Sequence, residues 1–516
     1  MQIPIVEQIP VRPRAELCEA ADRLAAKLLR EHPELAAAER FQELVPTHLN
    51  TVPTLHLDDL SELGGTSPEN DVQFYQERAR LRAGSGDLIA AGGEPVNGHE
   101  DYFRERLGLG SAEWLHAETT DRNPRLAETC WSDEDIRGFL ISRIQRGELT
   151  AIHPHMGTHS VWELAAKLRE AANRPLKVIA PPPRLCRWVN DKIAFAGLVR
   201  RLFGTEFVPK TESAWNIPTL AGRVIALSGT TETIGVKVPD GAGGGGNVVL
   251  RSSSIHGKTQ GEVERELREL MSNIRWDADS ELLVDVWEQD VLCSPSAQFW
   301  IPPIGDGPPV AEGLFVQTMQ GEEGVFVGAA PARLPDGCTH EIAERCWLLA
   351  RVFQRLGYVG RCSFDVILVG ERLEDCRVEF IECNGRWGGT SLPMTLVNRL
   401  LGDWTTRPFS VEAFQFIAGL ELVTFQEFLD WYGDDVFDAR TRQGSMIPFN
   451  PGQLRQRAGI SVILLGRSRD DDHRELRHML WQRLQEFGRT ALQRMTESGR
   501  RKAESGQRPA SMNHQP

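Results

Sequence analysis

Apolar and charged positions recur at helical spacing from residue 14 to 45, and then the period is lost. Residues 54 to 130 read as irregular, with GGTSPEN and AGGEPVNGHE as loops. A β/α alternation follows. LTAIHPHMGT predicts a strand and loop, SVWELAAKLREAAN a helix capped by Ser160 with Glu163 at the capping-box position, and LKVIAPPP a second strand. Such a run is a fragment of a parallel α/β sheet. NDKIAFAGLVRRLFG then predicts a helix with Lys192 in its first turn, and TIGVKVPDGAGGGGNVVL a strand, a flexible loop and a strand. A polar-faced helix at 260 to 274, the strands ELLVDVWEQD and SAQFWI, and the helix EIAERCWLLARVFQRLG come next. The two apolar runs SFDVILVG and RVEFIECNGRWGG close this part as a hairpin. Beyond Trp404, VEAFQFIAGLELVTFQEFLDWYG reads as helical and aromatic, ARTRQGSMIPFNPGQLRQRAG as loop and GISVILLGRS as strand. In the closing helix Leu476, Met479, Leu480, Leu484, Phe487, Leu492 and Met495 recur at core spacing. The polar tail from Ser498 to Pro516 reads as disordered.

The hairpin carries the densest chemistry. Side chains alternate along a strand, so Glu382 and Asn384 share a face. A turn within Glu371 to Cys376, centred between residues 373 and 374, sets Asp365 directly opposite Glu382. Three oxygen ligands then converge, which suits magnesium, an ion that takes one or two carboxylates and completes its octahedron with water and phosphates. The plainer alternative is a pair of acids at a strand mouth, held by Arg386 or by solvent.

Upstream, Lys237 ends a β-branched run and is followed by Gly241, Gly243, Gly244, Gly245 and Gly246. Glycines let the backbone approach a polyanion and present successive N–H groups, while the lysine adds a point charge. The fitting ligand is a phosphate chain, the rival a flexible linker. Gly241, Gly243 and Gly246 satisfy G-x-G-x-x-G, but a strand follows them where a dinucleotide site needs a helix. No HRD or DFG triplet accompanies the loop, and the lone GK[ST] triplet at Gly257 lacks its upstream glycine, so kinase and P-loop readings fail.

With 516 residues the chain is long enough for roughly three domains of about 150 residues. A net charge of -14 argues against a general nucleic-acid or anionic-membrane surface, so any polyanion is met locally. Nine scattered cysteines without a C-x-x-C pair read as reduced core residues. The opening MQIPIVEQIPVRPR has neither basic patch nor apolar run, and no stretch reaches membrane length, so the expected location is cytoplasmic. His153, His155 and His159 form H-x-H-x-x-x-H, a weak zinc signal beside loop packing or substrate contact.

The order of helix lysine, strand lysine with glycine loop, apolar strand and acidic hairpin, over roughly Lys177 to Trp404, resembles the ATP-grasp carboxylate-amine ligases. NDK at 190 to 192, KVPDGAGGGGN and ECNGRWGGTS look like the branch of pheganomycin-type peptide ligases. The resemblance implies an α/β (α+β) protein: an N-terminal partial α/β pre-ATP-grasp domain over 1–180, the ATP-grasp fold over 181–405 and a small C-terminal domain over 406–497. It implies ATP and Mg2+, with a carboxylic acid and an amine, an amino acid or peptide, as partners. Lys192 and Lys237 would touch the phosphates under a lid of Gly241 to Gly246. Asp285, Val286, Trp287 and Glu288 would hold adenine through backbone groups, and Asp365, Glu382 and Asn384 would hold magnesium. Arg386 would meet the transferred phosphoryl group or the substrate carboxylate, making it and Lys237 the catalytic pair. The ribose contact has no clear acid, Asp290 being nearest. The implied reaction activates the carboxylate as an acyl phosphate for attack by the amine; the alternatives are a catalytically silent ATP-binding regulator and a dinucleotide-dependent oxidoreductase. Neither the acid and amine nor an oligomeric state, a homo-oligomer included, can be read from these residues.

Overall fold

Strands of four residues or fewer build the first sheet of the computed structural model. The structure describes residues 3–49, 53–62, 73–118, 125–239, 241, 246–272, 276, 281–321, 324–466 and 473–504. This sheet is parallel throughout, in the order Glu113–His116, Leu88–Ala91, Thr54–Leu57, Ala151–Pro154, Lys177–Val178. Three of its strands lie in the stretch expected to be irregular. Thr54–Leu57 and Leu88–Ala91 are buried at every position, so no polar alternation marks them. The helix His159–Ala172 is capped two residues earlier than expected, by Thr158, whose hydroxyl accepts from the Val161 amide at 3.3 Å. Glu163 serves as an ion-pair partner of Arg40 and His159.

The second sheet is antiparallel, in the order Thr211–Ala214, Leu282–Val286, Thr233–Lys237, Asn247–Arg251. Helices Ile217–Ser228 and Gln260–Ser272 cover it with Leu220, Val224, Val263 and Leu267. The third sheet is the largest. Its central strand Gly360–Val369 pairs on one side with Arg377–Asn384 and on the other with Pro295–Ile301, from which the sheet runs on through Val310–Gln320, Val325–Pro331, Phe409–Phe414, Ile460–Leu465 and Met446–Phe449. SAQFWI thus belongs to this sheet, away from ELLVDV in the second.

Two expectations beyond Trp404 are corrected. Phe409–Phe414 is a strand, not a helix, because its nearly continuous burial and six-residue pairing with Ile460–Leu465 override helical spacing. The expected loop contains the strand Met446–Phe449 and the helix Gln453–Arg457. In the closing helix Arg474–Glu504 the core stripe is shorter than its periodicity: Leu480, Leu484 and Phe487 are buried, whereas Met479, Leu492 and Met495 are exposed. Residues 498–504 continue that helix, and 505–516 lie outside the described residues. All nine cysteines are unpaired, six of them buried. No helix among the described residues is long and apolar enough to cross a membrane.

Polar links tie the first sheet to the rest. Arg399 donates to the carbonyls of Leu81 and Ala83, and Arg82, wholly buried, pairs with Asp58 and donates to the His153 carbonyl. The buried carboxyl of Glu77 accepts from the Gly452 amide at 3.0 Å. Burial raises the Glu77 pKa to about 7, against the backbone donors that favour the anion. A carboxyl raised in the native state takes up a proton between its unfolded and folded pKa, so stability falls as pH climbs from about 4.5 to about 7. Glu77→Gln should leave the urea midpoint nearly unchanged at pH 5 and raise it at pH 8, by about 1–3 kcal/mol of stability. An equal difference at both pH values would contradict the burial of an ionisable group here.

Candidate functional site

The acidic hairpin has the expected register at its mouth. Asp365 stands opposite Glu382, and Ser363 opposite Asn384. Nearer the turn the register is one residue different, Val366 facing Phe380, and a bulge between Asp365 and Val366 absorbs the difference. Phe364, Val366, Leu368, Val378, Phe380 and Cys383 therefore enter the core, and Asp365, Glu379, Glu382 and Asn384 share the other face. Strict alternation would separate Glu379 from Glu382, which is why sequence reasoning missed Glu379; its carboxyl is buried, accepts from Arg377 at 2.7 Å, and is pushed by burial and Glu288 up to about 7.

Asp365 and Glu382 are linked through the Asn384 amide nitrogen, at 2.9 and 3.4 Å. Asp365 also accepts from Ser296 at 2.5 Å and Gln317 at 3.2 Å. Burial and the neighbouring Glu382 charge push the Asp365 carboxyl up to about 7. Burial opposes ionisation of Glu382 too, but Lys192, with Arg386 and Lys237, outweighs it and holds that carboxyl below its ordinary value. The paired acids thus form an oxygen-rich pocket, which fits a hard divalent cation. The Asn384 oxygen accepts from Arg386 at 2.5 Å, so its ligation of a cation requires the amide reversed.

Lys192 closes the distance between sequence regions. Its ammonium lies 2.8 Å from Glu382 and 2.6 Å from the carbonyl of Gly241, while its own amide donates to the Pro239 carbonyl at 3.1 Å. Asp191 caps this helix, Lys192–Leu202, by accepting from Ile193 and Ala194. The glycine segment and the acidic hairpin therefore meet. Of the loop, Gly241 and Gly246 are in place, the Gly246 carbonyl accepting from Val238; Gly243, Gly244 and Gly245 lie outside the described residues.

Lys237 is buried and ion-paired with Asp285 at 2.6 Å, its ammonium 5.0 Å from the centre of the Trp287 ring. Asp285 thus contributes a side chain, a role its sequence context did not show. Burial raises its pKa against the pull of Lys237. In the segment expected to hold adenine, the amides of Val286 and Trp287 already donate to the carbonyls of Lys210 and Thr233. Glu288 accepts from Arg377 at 3.4 Å. Asp290 is exposed, with its carbonyl taking the Gly370 amide.

Arg386 donates to Asn384 and to the side-chain oxygen of Asn190, which also accepts from the Gly385 amide at 3.0 Å. Asn190 is a second missed residue: expected to open the helix that carries Lys192, it instead ends the preceding helix Pro183–Asn190, and its reach across to Arg386 is a long-range contact. The histidine triplet does not converge on a cation. His153 accepts from the Trp387 indole at 3.2 Å, His155 is buried, and His159 pairs with Glu163, and no group of three His, Cys, Asp or Glu side chains among the described residues is arranged to hold a metal.

No family model and no curated protein matches this chain. Among solved structures it is similar to N5-carboxyaminoimidazole synthetase from Staphylococcus aureus complexed with ADP, at 10% identity and TM-score 0.49, covering 85% of this chain and 100% of that one. It is also similar to the biotin carboxylase domain of Hydrogenobacter thermophilus 2-oxoglutarate carboxylase with MgADP, at 12% identity and TM-score 0.46, covering 81% and 87%. A third similar structure, N5-carboxyaminoimidazole synthase from Aspergillus clavatus with ADP and 5-aminoimidazole ribonucleotide, has 10% identity and TM-score 0.47, covering 84% and 98%.

Gly235 lies beside Lys237 on its strand, and a Cβ there would stand 2.4 Å from the Asp285 carboxylate and 2.8 Å from the Trp287 ring. Gly235→Ala should cost about 1–3 kcal/mol of stability in urea unfolding by overpacking this pair. The double variant Gly235→Ala/Asp285→Ala should lose less than the sum of the single changes, and strict additivity would refute the contact.

Proposed function

We propose that this protein is an ATP-grasp ligase that joins a carboxylic acid to an amine with conversion of ATP to ADP and phosphate. The observation that carries the reading is Lys192, whose ammonium bridges Glu382 of the acidic hairpin and the Gly241 carbonyl of the glycine loop. That contact brings cationic groups and oxygen ligands to one place, as a Mg–nucleotide requires. A dinucleotide oxidoreductase has no use for the acids, and the strand after Gly246 lacks the helix such a site needs.

Asp365, Glu382 and Asn384 would hold Mg2+, which would bind phosphate oxygens and offset their charge. Lys237, fixed by Asp285, and Lys192 supply cations for a phosphate chain, and the loop from Gly241 to Gly246 supplies its cover. Asp285 to Glu288 would hold adenine through backbone groups other than the Val286 and Trp287 amides, which are already paired. Arg386, fixed by Asn190 and Asn384, directs its planar fork at the acid or the transferred phosphoryl group. Such transfer needs positioning and charge neutralisation, with water excluded from the acyl phosphate, and no protein nucleophile. We assign the acid and amine to the amino acid and short peptide class, by likeness of NDK, KVPDGAGGGGN and ECNGRWGGTS to the pheganomycin-type peptide ligases.

A screen of amino acids and short peptides should find pairs that release phosphate from ATP only when acid, amine and Mg2+ are all present. Hydroxylamine should intercept the activated acid as a hydroxamate. Glu382→Ala should lower this turnover by at least about 100-fold with unchanged circular dichroism; near-normal turnover would remove Glu382 from the site. Thermal protection by Mg–ATP and none by NAD(P) is expected, and the opposite pattern would favour the oxidoreductase.

A further inference from the structure

The first sheet reverses its winding between the strands Thr54–Leu57 and Ala151–Pro154, which lie side by side while the chain proceeds to opposite edges from each. Ligands of open parallel sheets bind beyond the carboxyl ends of such a pair. Here that crest meets the acidic hairpin's continuation: the Trp387 amide donates to the His155 carbonyl at 3.0 Å, and Trp387 follows Arg386. Arg82 packs 5.3 Å over the Trp387 ring, and Arg399, from the helix Ser391–Leu401, fixes the carbonyls of Leu81 and Ala83. The segment carrying Arg78, Arg80 and Arg82 is thus held against the hairpin's end.

These three arginines differ. Arg80 is paired with Glu100 and Arg82 with Asp58. Arg78 makes no ion pair with any described residue; it lies 4.4 Å over the Tyr75 ring and donates through Nε to the Tyr75 carbonyl at 3.4 Å, leaving its terminal nitrogens uncommitted. Arg386 hydrogen-bonds only neutral oxygens, those of Asn190 and Asn384, while its charge acts on Glu382 and Asp365. The fields of Arg78 and Arg386 act on each other and jointly on His155. His155 is 4% exposed, and its Nδ1 has no hydrogen-bond partner. An arginine whose terminal nitrogens have no partner among the described residues, and whose field reaches a buried imidazole nitrogen that also lacks one, is an arrangement that an anion completes.

We infer that Arg78, with His155, receives a carboxylate of the substrate other than the one being activated, and so makes Arg78 a specificity-determining residue. The inference rests on the ligase reading above. That carboxylate belongs either to the acid, as a dicarboxylate, or to the amine, as an α-amino acid; the recognition chemistry is the same.

The test uses the full chain with Mg–ADP and a panel of succinate, glutarate, L-glutamate, glycine and glycylglycine, each beside its C-terminal or mono-amide, read by calorimetric titration. At least one carboxylate should bind the wild type at least about 10-fold more tightly than its amide, and Arg78→Met should abolish that preference while leaving amide binding unchanged. Arg78→Lys should restore part of it. Preference confined to succinate and glutarate assigns the carboxylate to the acid; preference extending to glycine and glycylglycine assigns it to the amine. Thermal protection by Mg–ADP should be equal in wild type and both variants, which shows that they are folded. Absence of any carboxylate preference in the wild type, or its survival in Arg78→Met, overturns the inference. Loss of Mg–ADP protection in the wild type would instead defeat the underlying ligase reading.

Discussion

The ammonium of Lys192 is the cation on which the site's geometry turns. It stands in the first turn of a helix, where the macrodipole disfavours positive charge by roughly 0.3–1 kcal/mol. Asp191, accepting at the cap, softens that cost, and Glu382 supplies the counter-charge. Glu382 in turn depends on the lysine, because burial alone would favour its neutral form. The helix, the glycine segment and the acidic hairpin are held together by one charge that each helps to satisfy.

The hairpin shows how far a sequence reaches. Pairing of Asp365 with Glu382 follows from apolar runs and a plausible turn, and the structure has that pairing. Alternation alone cannot locate a bulge, since an extra residue changes the face of everything beyond it. Glu379 was hidden for that reason. The elements bearing Lys192 and Lys237 were legible because a capped amphipathic helix and a glycine-separated hairpin are local patterns.

Other parts were illegible because their determinants are not local. Thr54–Leu57 and Leu88–Ala91 become strands only by mutual pairing beneath helices, and their burial on both faces erases periodicity. Phe409–Phe414 carries helix-compatible letters but completes a sheet whose other strands arise far away in the chain. Asn190 and Arg78 gain meaning only once Arg386 is beside the first sheet. Asp285, expected to hold adenine through its backbone, gains a side-chain role only from the pairing of its strand with the one that bears Lys237.

The two lysines are not equivalent in what they have left to give. An ammonium has three donors. Lys192 spends two on Glu382 and Gly241 and keeps one for a further anion. Lys237 spends one on Asp285 and rests against an aromatic face, leaving donors available without surrender of its anchor. A buried ion pair adds little net stability by itself, because desolvation offsets most of its attraction. Its value here is positional: Asp285 fixes the Lys237 ammonium in a buried place that an unpaired lysine would leave for solvent.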